Sequence, residues 1–125
     1  MAQYEEFTID QGTDVAIEIH CEDENGNTKD LTNHQIKAQL RKNYSTTTAT
    51  NFNSIIASPP TDGIATLSLT NTETAALAKG RYVYDVELSF LDSDNNPVIE
   101  RILEGRIQVT PGVTTLDHSS GGGVN

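Results

Sequence analysis

Between Gly80 and Asp92, Tyr82, Tyr84, Val86, Leu88 and Phe90 alternate with Arg81, Val83, Asp85, Glu87 and Ser89. A period of two puts the first set on one face of a β-strand and the mostly polar second set on the other. Just upstream, Thr70 to Lys79 reads as one short helix. Thr70 is the expected N-cap, and Glu73 three residues later completes a capping box. Gly80 is the expected left-handed stop. A short helix feeding a long core strand is a corner that β-sandwiches use.

The same alternation recurs along the chain. Residues 4–9 form a first strand with Phe7 and Ile9 inward, followed by a turn at Gln11 to Asp14. Residues 14–21 continue with Val15, Ile17, Ile19 and Cys21 on one parity. Asn25-Gly26 marks a turn in the polar stretch 22–32. Residues 35–42 place Ile36, Ala38 and Leu40 inward and Lys37, Gln39 and Arg41 outward. Residues 43–53 fit either a polar strand or a long exposed loop. Phe52, Ile55 and Ile56 should rejoin the core before Pro59 to Gly63 breaks the chain, and Ala65, Leu67 and Leu69 mark the next strand. After a turn at Asp92 to Pro97, a last strand over 98–110 carries Ile99, Leu103, Ile107 and Val109 on one parity, with Gly105 marking a bulge. About seven strands with turn signals every eight to twelve residues predict an all-β fold. The expected form is an immunoglobulin-like antiparallel β-sandwich with one short helix. The sandwich is expected to occupy residues 1–110, with residues 111–125 as an extended C-terminal arm.

The chain has 125 residues, enough for one domain with a real core. Its 35% apolar content suits short strands with one wet face per sheet. No apolar run approaches the length of a membrane span. Residues Met1 to Glu6 lack the basic start and apolar core of a secretion signal, which leads to the expectation of assembly in a cytoplasm. The net charge of −10 disfavours nucleic acid and anionic lipid as partners. Nine acids within residues 1–30 face only Lys29, while Lys37, Arg41 and Lys42 form the small basic counterpart and a candidate docking patch.

Catalytic and metal chemistry finds no footing. His20, His34 and His118 are scattered without partners at zinc spacing, and His20 falls on the polar parity of its strand. Cys21 is expected to be a small buried apolar residue. In the turn around Gly26, a calcium-loop frame would put Cys21 and Thr32 at its anchor positions, where neither fits. In the second turn Asp92, Asp94 and Asn96 fit, but Pro97 stands where glycine is needed and Leu103 where the closing glutamate is needed. Both read as hairpin turns. There is no nucleophile elbow and no phosphate loop. The expectation is a non-enzyme with no cofactor and no metal. Tyr82 and Tyr84 share parity with Val86 and Leu88, so they read as core rather than as an aromatic platform. Tyr44, beside the Thr-rich stretch, is the clear candidate for an outward aromatic in a glycan-binding reading.

Six segments in series extend this: Gln11 to Asp14, Asp30 to Thr32, Asp62-Gly63, Glu73 to Leu77, Gly80 to Val86, and Gly105 to Thr114. In this order and spacing, over roughly residues 7–114, the chain resembles the immunoglobulin-like β-sandwich modules of tailed-bacteriophage virion proteins. Such modules include the N-terminal modules of upper baseplate proteins. The resemblance implies a structural, non-enzymatic virion protein present in many copies. Its partners would be other virion proteins, in the tail, baseplate or neck. A capsid decoration protein and a glycan-binding adhesion module are the alternatives. The C-terminal arm is expected to act as a docking strap through Leu116, Gly121, Gly122, Gly123 and Val124. Ordering such a Gly/Ser segment costs about 1–2 kcal/mol per residue, which apolar burial alone would not offset. Strand addition to a partner's sheet edge is the expected source of the remainder.

Overall fold

The computed structural model describes residues 2–113. Eight strands follow in order: β1 (Gln3–Asp10), β2 (Val15–His20), β3 (Gln35–Arg41), β4 (Thr50–Asn51), β5 (Asn53–Ile56), β6 (Ile64–Leu69), β7 (Gly80–Leu91) and β8 (Pro97–Thr110). The helix α1 (Asn71–Ala75) lies between β6 and β7. A five-stranded sheet of order β1-β8-β7-β3-β4 packs on a three-stranded sheet of order β2-β6-β5. This division of strands is that of an immunoglobulin-like sandwich. The pairings are antiparallel except between β1 and β8, which run parallel from Gln3↔Leu103 to Asp10↔Thr110. That one pair departs from the expected all-antiparallel arrangement.

The core forms where the inward parities meet. Ile9, Leu40, Val86, Ile107 and Val109 of the larger sheet pack with Leu67 and Leu69 of the smaller one, all essentially without exposure. Each such side chain contributes about 1.5–3 kcal/mol by leaving water. At the other end Cys21, Leu31 and Leu88 make a smaller cluster. Burial pushes the Cys21 thiol above its ordinary range, with Lys29 opposing weakly, so it packs as the small apolar group expected of it.

Three local expectations are corrected. The helix ends at Ala75, with Ala76 as its C-cap, rather than reaching Lys79. Gly80 has φ 129° but opens β7, four residues past the helix cap, and does not stop the helix. The capping box itself is present: the Thr70 hydroxyl accepts from the Glu73 N–H, and the Glu73 carboxylate accepts from the Thr70 N–H at 2.8 Å. Second, the bulge lies at Ile102, not at Gly105. Val86 pairs with Leu103 but Glu87 pairs with Arg101, leaving Ile102 unpaired on β8. The slip reverses the inward parity, so Ile102 packs on the core while Ile99 faces solvent at 64% exposure. Gly105 serves a different purpose: a Cβ there would fall on the Glu5 carbonyl of β1, so the glycine permits the close approach of β1 to β8. Third, Phe52 and Ile56 join the core but Ile55 points outward.

Residues 43–53 prove to be a crossover between sheets. A turn and an unpaired run lead into two-residue β4, which pairs with Gln39 and Leu40 of β3. The chain then passes inward at Phe52, whose N–H donates to the Ala38 carbonyl, and enters β5 in the other sheet. Both acid-rich turns are built as expected. Asp23 Oδ1 accepts from the N–H groups of Asn25 and Asn27, and Asp92 Oδ1 accepts from those of Asp94 and Asn96. The leading aspartate of each turn is thereby a backbone anchor.

Candidate interaction face

The strand register fixes what the solvent face of the five-stranded sheet displays. Residues paired across strands share a face, so Val83 aligns with Arg106 and Arg41, Asp85 with Glu104 and Gln39, and Glu87 with Arg101 and Lys37. Arg81 lies one row above, opposite Gln108, and Ser89 and Ile99 one row below Glu87. Every arginine of the chain, Arg41, Arg81, Arg101 and Arg106, therefore stands on this face. So do the two exposed tyrosines, Tyr4 on β1 at 58% exposure and Tyr44, beyond β3, at 79%. At the β7–β8 tip Leu91, Pro97 and Ile99 meet as an apolar patch, Leu91 being 62% exposed.

Between these features lies a shallow concavity of about 310 Å³ lined by Gln39, Arg41, Tyr44, Asp85, Arg101 and Glu104, among others. Arg101 Nε sits 3.3 Å from Asp85 Oδ2 and its Nη1 3.6 Å from Glu104 Oε1. Half-exposed ion pairs of this kind add little stability, about 0–1 kcal/mol, but they fix side-chain direction. Arg41 is held too: Nη1 donates to the Thr46 carbonyl at 3.0 Å and Nη2 to Gln39 Oε1 at 3.3 Å. The Tyr44 loop is braced from inside as well. Asn43 Oδ1 accepts from the Ser45 N–H, the Ser45 hydroxyl and the Thr46 hydroxyl. On the far side Tyr4 donates to Glu6 Oε2 at 2.9 Å, and that bond to a carboxylate pushes the Tyr4 phenol upward.

Of the residues expected to form one basic docking patch, Lys37 and Arg41 share the solvent face of β3, and Lys42 does not. Lys37 is exposed opposite Glu87, and Arg41 is half-buried in the concavity wall. Lys42 has left the face. Its Nζ lies 4.7 Å from the Tyr82 ring centroid and donates to the Lys79 carbonyl at 3.2 Å. Leu116, Gly121, Gly122, Gly123 and Val124 lie outside the described residues. Lys42 instead seals a feature that sequence reasoning reduced to core packing. The buried Tyr82 near the start of β7 donates to the Ala78 carbonyl at 2.7 Å, four residues upstream. This is a tyrosine corner of the kind immunoglobulin-like sandwiches carry. Its signal was available in the position of Tyr82, two residues into the strand after the helix. Tyr84 likewise donates to the Glu5 carbonyl of β1 at 2.9 Å, and its burial, aided by the Glu5 charge, pushes the phenol far upward.

Among the described residues, no cluster of three or more His, Cys, Asp or Glu could hold a metal ion, and no helix is long and apolar enough to cross a membrane. His20 is exposed beside Glu18 at 2.7 Å, while His34 stacks on Phe90 with ring centroids 4.6 Å apart. His118 lies outside the described residues.

No protein-family model matches the chain, and no curated protein matches it. Among solved structures it is similar to AggA, the major subunit of aggregative adherence fimbriae type I from Escherichia coli. The identity is 12% over 84% of this chain and 89% of that one, with a TM-score of 0.37.

Proposed function

We propose that this chain is a non-enzymatic structural subunit of a tailed-bacteriophage particle, a component of the tail, baseplate or neck that works by docking against other virion proteins. The observation that carries the docking element is the apolar patch at the β7–β8 tip. An inserted residue, Ile102, turns Ile99 out of the core beside Leu91 and Pro97, on the same face as the chain's arginines and exposed tyrosines. Exposed aliphatic side chains on a face that also carries Arg and Tyr fit the composition of a protein interface. The virion context rests on the series of segments from Gln11 to Thr114.

Mass spectrometry of particles separated into heads and tails tests the assignment. Recovery with the tail fraction is the expected outcome. Recovery with heads alone would favour the capsid-decoration alternative, and absence from both fractions would remove the virion reading altogether.

A further inference from the structure

We propose that the concavity beside Tyr44 binds a neutral saccharide. This goes beyond protein docking and uses a different part of the face from the Leu91–Ile99 patch. The first argument is the aromatic. Tyr44 is the most exposed tyrosine of the fold, its hydroxyl makes no hydrogen bond among the described residues, and its loop is braced by Asn43 and by Arg41. An aromatic ring carried on a braced loop at a polar rim offers a flat apolar surface with only its own two side-chain torsions to order, which suits the C–H face of a sugar ring.

The second argument is the wall opposite. Asp85, Glu87, Glu104, Arg101 and Gln39 present planar carboxylate, guanidinium and amide groups towards one space. Such groups donate to and accept from hydroxyls. Arg101 is already committed to Asp85 and Glu104, and Arg41 to Gln39 and Thr46. The lining therefore holds three carboxylates against two guanidiniums, of which Arg101 is ion-paired and Arg41 spends its donors on neutral acceptors. The excess of carboxylates repels an acidic sugar or a phosphate, so an uncharged polyol fits best. A volume of about 310 Å³ sits at the small end of ligand sites, which span about 300–1,000 Å³, and so suits a short oligosaccharide.

The test uses the full chain against a glycan array containing both neutral and acidic oligosaccharides, followed by NMR titration with any that bind. The expected result is retention of neutral oligosaccharides, weakened about tenfold or more in Tyr44→Ala. That substitution disturbs no buried contact, so it leaves the fold intact. Ile99→Asp, at the docking patch, should bind glycans as the wild type does, which separates this site from the docking reading. Failure of every neutral oligosaccharide, retention of acidic ones alone, or undiminished binding in Tyr44→Ala would each overturn the proposal.

Discussion

Both sheets of the sandwich turn one face to solvent, yet they spend that face differently. The three-stranded sheet shows Ala16, Glu18, His20, Asn53, Thr66 and Ser68, mostly polar groups, with half-buried Ile64 and exposed Ile55 as its large apolar residues. The five-stranded sheet shows all four arginines, both exposed tyrosines and the Leu91–Ile99 patch. The same period-two alternation builds both faces, so folding alone does not require the difference. Large side chains left in water are costly to order and add nothing to the core, and their concentration on one sheet is why the docking proposal is placed on that face.

The harshest way to break the contrast is to dismantle the larger sheet. Gly105→Ala would drive a Cβ into the Glu5 backbone, which has no flexible tip to move aside. Overpacking of this kind costs about 1–3 kcal/mol, and a backbone clash belongs at the upper end. Urea denaturation should show that loss. Hydrogen exchange should accelerate most over residues 3–10, because β1 is held by β8 alone within its sheet. Unchanged protection of β1 would mean that the close approach is not what binds it.

A smaller loss is expected from Tyr82→Phe, which leaves the Ala78 carbonyl without its donor. Ala78 is exposed, so water can replace the donor and the loss is that of an ordinary hydrogen bond, about 0.5–1.5 kcal/mol. Lys42→Ala, which removes the cation above the same ring together with its exposed hydrogen bond to the Lys79 carbonyl, should cost about 0.5–1 kcal/mol. Thermal denaturation of the two variants ranks them. If Lys42→Ala cost more than Tyr82→Phe, the corner would depend on the lid rather than on the hydrogen bond.

The sharpest comparison uses two isoleucines of nearly equal exposure, Ile99 at 64% and Ile55 at 65%, one on each face. Replacing either with serine should change stability by no more than about 0.5 kcal/mol, since neither packs in the core. Particle incorporation should fall for Ile99→Ser and stay normal for Ile55→Ser. Equal incorporation of both variants would show that the apolar patch on the larger sheet does not dock.

Period-two alternation made most strands legible because each strand has one dry face, and the capping box at Thr70 and Glu73 could be read residue by residue. What stayed hidden depended on pairing between distant segments. The slip at Ile102 changes parity within one strand, and nothing local marks it. Gly105 reads locally as a bulge signal, but its lack of a side chain answers to Glu5, a hundred residues away. The crossover at 43–53 was ambiguous because its two short strands belong to different sheets. The working face was legible only in part: Tyr44 and Arg41 were singled out, but their meeting with Asp85 and Glu104 requires the register of β3, β7 and β8. Lys42 was grouped with its sequence neighbours although the strand's end carries it to the tyrosine corner.

The smallest expected effect lies beside the three-stranded sheet and concerns pH. Glu73 accepts from the Thr70 N–H and from the Asn53 amide of β5, and these bonds hold its carboxyl below the ordinary value of 4.5. A depressed carboxyl in the folded state adds stability that is fully present above the unfolded value and lost as pH falls through the folded one. Glu73→Gln keeps an acceptor but removes the charge, so the melting-temperature gap between wild type and variant isolates the ionised contribution. That gap should be constant from about pH 8 to pH 6 and shrink below about pH 4.5. The exposed position keeps the effect modest, and added salt should reduce it further. A gap that persists undiminished down to about pH 3 would show that the capping box works through hydrogen-bond geometry alone, without preference for the charged carboxylate.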